Sequence, residues 1–294
     1  MHLQQELRET SIHGTLDFPL HIYSKQKPNG YHVGFHWHKE IELIFVEAGE
    51  LVLALDSEVH LLQAGDIALI NAEDLHQLSA SGSSFHHAIV FHPKMFGFDY
   101  PDAIQTHYIR PLISNKVRFR SVHELPEAVR LQLRTYIQEI IQHYEEANQL
   151  KLFHVKTILF QLLYVLFKED VFEPVQPEMK RKQANIQKIL TYITEQYATK
   201  ITMEDLAGIV QMNTSYFSRY FKSVIGVSPL HYLNQYRCEQ AAILLRETDY
   251  LVLDIALMTG FDHFSYFIKK FKQVKQMTPS EFRKAHAAFS SHRV

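Results

Sequence analysis

The stretch Thr214–Val224, TSYFSRYFKSV, places hydrogen-bonding and cationic side chains where they could read a nucleic-acid groove. Phe217, Phe221 and Val224 recur at i, i+4 and i+7, which makes one buried stripe on a helix. Ser215, Ser218 and Arg219, at i, i+3 and i+4, share a different side. Arg can donate a bidentate pair to guanine O6 and N7, Ser can bond several base edges, and Lys222 one turn on is placed for a phosphate. An ordinary amphipathic helix with a solvated face fits the same spacing, so the weight falls on what surrounds the stretch.

What surrounds it is a repeat. Asp205-Leu206-Ala207 recurs as Asp254-Ile255-Ala256, Ser215-Tyr216-Phe217 as Ser265-Tyr266-Phe267, Phe221-Lys222 as Phe271-Lys272 and Ser228-Pro229 as Thr278-Pro279. A helix, a tight turn and a second helix, used twice, is the pattern of a tandem helix-turn-helix. Thr202 with Asp205 can cap the first unit, and Thr278-Pro279-Ser280-Glu281 is a capping box with Pro at the first helical position. Ser228-Pro229 opens a helix expected to run to about Arg246 and to join the units. About 18 residues at ~1.5 Å each span roughly 27 Å. Successive major grooves on one face of B-DNA lie ~34 Å apart, so two readers on one rod could enter adjacent grooves once their off-axis reach is added.

The elements that carry these side chains sit in the basic part of the chain. Residues 181–294 hold 15 Lys+Arg against 9 Asp+Glu, a net +6, whereas residues 1–180 hold 15 against 23, a net −8. The formal charge of −2 for the 294 residues conceals that split, which points to a polyanionic partner for the C-terminal third alone. A composition of 46% hydrophobic and 21% charged residues is that of a soluble chain with room for two or three cores. The single cysteine, Cys238, excludes an intramolecular disulfide and a cysteine-based metal cluster. MHLQQELRET lacks the apolar core of a signal peptide. The most apolar segment, Leu152–Phe167, is broken by His154, Lys156 and Gln161 and is short for a membrane span. A cytoplasmic protein with no membrane partner is expected.

From about Leu20 to Phe91, short apolar or alternating runs bounded by Gly, Asn and Asp read as antiparallel strands. They include Glu40–Glu47, Leu51–Leu55, Val59–Leu62, Ile67–Ile70 and His87–Phe91, with Asp56-Ser57 as a hairpin turn, and so many short strands imply a barrel or jelly roll. Within them, Gly30-x5-His36-x-His38-x3-Glu42-x6-Gly49 resembles the first motif of the cupin barrels at every specified position. Gly65-x5-Asn71-x-Glu73-x2-His76 resembles the second, with Asn71 and Glu73 where that family prefers Pro and Gly. The resemblance implies that His36, His38, Glu42 and His76 face the barrel interior. Four such groups could hold a divalent ion, or could bond one another, water or an organic ligand. The altered second motif favours the latter, so they are expected to line an effector pocket, with no metal, cofactor or catalytic residue. Trp37 alternates away from them and is expected in packing or an interface.

Two helices should follow. Pro126–Leu150 carries Val129, Leu133, Tyr136, Ile137, Ile140, Ile141 and Tyr144 at helical spacing, and Leu150–Lys168 is apolar nearly all round and must be covered. The barrel's outer face and the same helix of a second chain are both candidates, and homodimerisation is expected alongside barrel packing. Two prolines and a charged run mark 173–184 as a linker. The expected division is 1–120 effector-sensing barrel, 121–172 helical dimerisation segment, 173–184 linker and 185–294 DNA-binding domain.

Residues 186–284 resemble the AraC/XylS family of transcription regulators. The resemblance is carried by Ile186–Tyr197, Ile201-Thr202, Asp205-Leu206-Ala207, SYFSRYFK at 215–222, Gly226-x-Ser228-Pro229, Arg237, Asp254-Ile255-Ala256, Gly260-Phe261, SYF at 265–267, Phe271-Lys272 and Thr278-Pro279. It implies an α+β chain: a cupin-like β-barrel with paired helices, then an all-α tandem helix-turn-helix domain. It also implies double-stranded DNA as target, a small-molecule effector such as a sugar, homodimerisation, and RNA polymerase as a further contact. Carried over by position, base reading falls to Ser215, Ser218 and Arg219 in the first unit and to Ser265, Ile268 and Lys269 in the second, with Lys222 and Lys272 nearer phosphates. Lys269 stands where Arg is frequent, and Gln276 replaces the Gly that occurs in the first unit as Gly226, so the second reading helix is expected to end differently. A metal-dependent enzyme fused to a DNA-binding module, and an effector-independent regulator whose barrel only dimerises, are the alternative readings.

Overall fold

The computed structural model describes residues 13–28, 30–55, 58–100, 102–120, 125–145 and 148–290. The chain forms two compact units, Met1–Gln183 and Ala184–Val294.

The first unit is built on one long strand. β1 (Leu20–Lys27), β2 (Tyr31–His36), β3 (Ile41–Leu55), β4 (Glu58–Gln63), β5 (Ile67–Ile70), β6 (His76–Ala80) and β7 (Ser84–Phe91) form a seven-stranded antiparallel sheet in the order β1-β7-β3-β6-β2, with β4 and β5 also on β3. The N-terminal half of β3 pairs with β7 and β5, its C-terminal half with β4 and β6, so the sheet curls around β3. The runs Glu40–Glu47 and Leu51–Leu55, expected as separate strands, are therefore one. A register shift between Val46 and Ala48 turns it. Gly49 follows at φ 78°, where a Cβ would lie 2.2 Å from the Ser83 carbonyl oxygen, which leaves glycine as the residue that fits. Asp56-Ser57 lies outside the described residues, though its neighbours Leu55 and Glu58 are register partners.

Both faces of β3's first half are buried. Ile44 and Val46 join Leu51, Leu53, Leu62, Ile70 and Leu78 inside the barrel, while Ile41, Leu43 and Phe45 join a core on the outer face. A short helix, α1 (Arg110–Ile113), and strand β8 (Val117–Phe119) lead to that outer layer. It is closed by α2 (Glu127–Glu145), through Leu133, Ile137 and Ile140, and by α3 (Gln149–Lys168), through Val155, Ile158, Leu159, Leu162, Leu163 and Leu166. At 20 residues α3 is longer than its apolar run implied and passes by length and composition as a membrane span. Its buried face against the sheet identifies it as a core helix. Trp37 is buried as well.

The stretch 173–184, expected as a linker, ends at the boundary of the two units and carries regular structure. β9 (Phe172–Pro174) pairs with β8, and helix α4 (Pro177–Gln196) begins three residues later and runs across the boundary of the two units. Pro177 stands at the first helical position, where its missing N–H costs nothing, and no glycine or proline follows to stop the helix. The charged run Lys180-Arg181-Lys182 is a polar helical turn ahead of the buried stripe Ile186, Ile189, Leu190 and Ile193.

The second unit continues with α5 (Met203–Ile209), α6 (Thr214–Ile225), α7 (Pro229–Glu247), α8 (Val252–Met258), α9 (Phe264–Lys275) and α10 (Pro279–Ser290). The Thr202–Asp205 capping box is formed, and Thr278 and Glu281 cap α10 in the same reciprocal way. α7 is buried on most sides: Tyr232 near its start packs edge-on to Phe221 of α6 and Leu233 is buried, while Cys238, Ala241, Ala242 and Leu245 join Ile255 of α8 and Phe267 and Phe271 of α9.

The two reading helices end alike, against expectation. Gly226 closes α6 at φ 83° and Gln276 closes α9 at φ 58°, both left-handed. A residue with a Cβ reaches that conformation at a cost that glycine avoids, because the Cβ approaches the following carbonyl. Nothing lies within 4 Å of a Cβ built at Gly226, so a substitution there tests backbone strain without a clash. Gln276→Gly is expected to stabilise the second unit, and Gly226→Ala to destabilise it, by about 1 kcal/mol each. Chemical denaturation of the full chain, followed at the transition of this unit, checks the opposite signs.

Candidate functional site

In the C-terminal unit, α6 is held by its buried face. Phe217 and Phe221 are fully buried with ring centroids 5.9 Å apart, and Phe221 packs edge-on to Tyr232 of α7. The start of α6 is fixed by Asn213, whose Oδ1 accepts from the Tyr216 N–H at 2.8 Å. This leaves Ser215, Arg219 and Lys222 exposed and Ser218 half-buried on the other side. In α9, Phe267 and Phe271 are the buried pair, and Ser265, Lys269 and Lys272 are exposed. Ile268, expected among the base contacts, is half-buried and packs against the core of its own unit, because it lies one residue beyond Phe267 on the flank of the buried stripe.

Sequence reasoning passed over two tyrosines. Tyr216 and Tyr266 occupy matching places in the repeat and stay 51% and 43% exposed beside Ser215 and Ser265. The Tyr266 hydroxyl accepts from Asn234 Nδ2 at 3.1 Å, and Lys270 lies over its ring. Large aromatics exposed at equal positions of two repeats were the available signal. Cys238 is fully buried in α7, and burial pushes its thiol up to about 12, which makes it a packing residue.

In the N-terminal unit, His36, His38, Glu42 and His76 come together, with one ligand atom from each within 4.8 Å of all the others. His36 ends β2, Glu42 stands on β3 and His76 opens β6. Glu42 Oε2 is 3.1 Å from Nε2 of both His38 and His76. The other nitrogen of each ring is engaged: Nδ1 of His36, His38 and His76 lies 2.9, 3.1 and 2.9 Å from the carbonyl oxygens of Gly34, Glu40 and Asp74. A carbonyl only accepts, so each Nδ1 carries a proton and each ring is held with Nε2 toward the cluster. His76 Nε2 is buried against Glu42.

The charge states follow from burial and partners. Desolvation, with the neighbouring His76, carries His36 down to about 3, so that ring is neutral. Glu42 is held well below the usual carboxylate range: burial opposes this, and hydrogen bonds and charge from His38 and His76 outweigh it. His86, missed in the sequence, sits on the inner side of β7 fully buried, with neither ring nitrogen hydrogen-bonded and Tyr31's ring 4.6 Å away. Burial lowers it to about 4. Its alternation with Ser84 and Ala88 on a strand was the signal that marked it.

The two departures in the second motif have local roles. Glu73 adopts φ 69°, the left-handed conformation for which that position favours glycine. Asn71 brackets β8, its Oδ1 accepting from Phe119 N–H at 2.6 Å and its Nδ2 donating to Asp74 Oδ2 at 3.0 Å. Asp74 also meets Arg118 at 3.5 Å and accepts from Gln183 Nε2 at 3.2 Å, and the same amide donates to the Glu73 carbonyl. Gln183 lies on α4.

Residues 18–163 match the model of the AraC-like ligand binding domain, and residues 206–285 match that of a helix-turn-helix domain. The chain is 27% identical to the uncharacterized HTH-type transcriptional regulator YdeC of Bacillus subtilis over 97% of its own length and 98% of that protein. It is 24% identical to the melibiose operon regulatory protein of Escherichia coli K12, covering 85% of this chain and 83% of the relative. Among solved structures, the C-terminal domain of the response regulator yesN from Fusobacterium nucleatum is 35% identical, covering 32% of this chain and 93% of that domain, with a TM-score of 0.31. With both models matched in order and a relative aligned along nearly all its length, the chain belongs to the AraC family of transcriptional regulators, with a ligand-binding domain ahead of a helix-turn-helix DNA-binding domain.

Proposed function

We propose that this regulator responds to a small molecule held by the barrel cluster, and that the loop Asn71–His76 reports the state of that cluster to α4. The observation that carries the reading is the hydrogen bonding of this loop in two directions. Inward, the Asp74 carbonyl accepts from His76 Nδ1 and Glu73 N–H donates to the His38 carbonyl at 2.7 Å. Outward, Asp74 and Glu73 accept from Gln183, on the helix whose later turns supply Ile186, Ile189, Leu190 and Ile193 to the C-terminal unit. An occupant that favours one setting of His38 and His76 thereby favours one setting of the loop, which is the differential interaction that regulation requires. A relative named for the melibiose operon is in keeping with a sugar as the effector. The chain works by binding, in the cytoplasm with its DNA target, and RNA polymerase is a further partner in this reading.

Sequence discrimination falls mainly to Ser215, Ser218 and Arg219, with Ser265 and Lys269 in the second unit and Lys222 and Lys272 at phosphates. Their exposure on the side of α6 and α9 opposite the buried phenylalanines supports this assignment, while Ile268 contributes chiefly to packing. Homodimerisation is supported by an exposed apolar side of α3, where Phe153 and Tyr164 stand three turns apart, 65% and 67% exposed.

Three measurements test these parts separately. Arg219→Ala should cost about 1–3 kcal/mol at the cognate site and relax one base pair, whereas Lys222→Ala should weaken all sequences alike and reduce the salt slope by about 1. Identical behaviour of the two variants on selected and random DNA would overturn the roles. Gln183→Ala should leave effector affinity intact while shrinking an effector-induced change in DNA affinity, a coupling on the order of 1–3 kcal/mol; a screen of sugars by thermal shift supplies the effector, and an unchanged response in the variant refutes the loop. In sedimentation equilibrium the native chain should be a dimer and Phe153→Asp with Tyr164→Asp a monomer. A monomeric native chain rejects dimerisation.

A further inference from the structure

His154 interrupts an otherwise apolar run, and the fold brings two further ligand-type side chains to it. Glu139 and His143 stand four residues apart on one side of α2, and His154 meets them from α3. Glu139 Oε1 lies 3.0 Å from His154 Nε2, and the rings of His143 and His154 meet edge-on with centroids 4.7 Å apart. One ligand atom from each of the three lies within 4.8 Å of the other two, and among the described residues outside the barrel no other such trio of histidine, cysteine, aspartate or glutamate forms. The pairs His60–Glu58 and His87–Glu47 lack a third member. His143 has no hydrogen-bond partner among the described residues, so its place beside His154 serves no polar network.

We infer that Glu139, His143 and His154 form a surface site for one zinc-class divalent ion, distinct from the barrel cluster and from the DNA-reading helices. Two imidazoles and one carboxylate are a zinc donor set that leaves a fourth position for water or an external ligand, whereas calcium and magnesium take oxygen sets. A carboxylate oxygen only accepts, so in the contact with Glu139 the His154 Nε2 carries the proton. The ion takes the place of that proton, which passes to Nδ1 of the same ring or, from an imidazolium, to solvent. Donors about 2.0–2.1 Å from a tetrahedral ion lie about 3.3 Å from one another. Glu139 and His154 already stand near that spacing, and at 39% and 46% exposure they are free to turn as His143 closes the remainder. His143 lies in the last turn of α2 and His154 in the second turn of α3, so the ion fastens the two helices close to their connection, next to the exposed Phe153. The rigidity of this part of the helical layer then depends on metal supply, whether or not the barrel takes an effector or the chain dimerises.

The test uses tag-free, full-length protein stripped with chelator and titrated calorimetrically with Zn²⁺, beside a chain carrying Glu139→Gln, His143→Ala and His154→Ala together. The triple variant should bind one equivalent fewer than the native chain, a difference in which any zinc held elsewhere cancels. The rise in melting temperature on adding Zn²⁺ should shrink in the same variant. Because all three side chains are half-buried or exposed, the metal-free variant should fold and melt close to the native chain. Even an outer hydrogen-bond partner of a metal ligand is worth about 10- to 100-fold in affinity, so His143→Ala alone, which removes a ligand and breaks no hydrogen bond, should weaken this site about 10-fold or more. Equal zinc stoichiometry in the native chain and the triple variant, or undiminished affinity in His143→Ala, would overturn the inference.

Discussion

Strand β3 is the constraint on which the first unit depends, since its first half has no solvent side. Alternation sends Ile41, Leu43 and Phe45 outward and Glu42, Ile44 and Val46 inward, so two cores must be built against one strand. The outer core obliges α2 and α3 to lie on the sheet. The inner one obliges the sheet to curl, which the register shift at Val46/Ala48 and the turn at Gly49 permit. The inward position of Glu42 then has a consequence of its own. A carboxylate taken out of water costs several kcal/mol unless charge and hydrogen bonds replace its hydration. The end of β2, the segment between β2 and β3 and the start of β6 deliver His36, His38 and His76 to that carboxylate, and the chemistry of the barrel follows from that one substitution of charge for an aliphatic group.

The second unit has a comparable organising element in α7, which faces one helix-turn-helix with its first turns and the other with its last. Its length of about 28 Å at ~1.5 Å per residue sets the separation of α6 and α9. Arg237 ties this rod to its surroundings. Its guanidinium donates to the carbonyls of Tyr197 and Thr199, just past the end of α4, at 2.8 and 2.7 Å, and lies over the Phe261 ring in the turn of the second repeat. A bidentate, planar cation suits two carbonyls and an aromatic face at once, which a lysine could not reproduce. The end of α4, the middle of α7 and the second turn are thereby held by one side chain.

The helical unit was legible nearly residue by residue because its signals are local. Caps at Thr202, Ser228 and Thr278, and paired phenylalanines at helical spacing, specify where helices start and which side they bury. The similar ends of α6 and α9 were not legible, because residue preference at a left-handed position is a preference only: Gln276 adopts it with strain where Gly226 does so freely. In the barrel the gathering of His36, His38, Glu42 and His76 followed from a motif, whereas His86 carried no motif and needed the register of β7 against β3 to be placed. The regular structure within 173–184 was not legible, because prolines and charges mark linkers and also mark helix starts. Only the pairing of β9 with β8, a contact between segments far apart in sequence, distinguishes them.

Asn71 and Glu73 change meaning once the loop is seen whole. In sequence they read as erosion of a ligand motif and so as evidence about the pocket. In the fold, neither faces the converging nitrogens: Asn71 fastens the loop to β8, and Glu73 gives its carbonyl to Gln183 and its N–H to His38. A barrel that only performs chemistry needs such a loop to close the strand turn, and Pro and Gly suffice for that. A loop that joins the cluster on one side to α4 on the other takes side chains with hydrogen-bonding ends. The residues that depart from the motif are thus hydrogen-bonding groups that tie the loop to β8, to His38 and to Gln183 of α4.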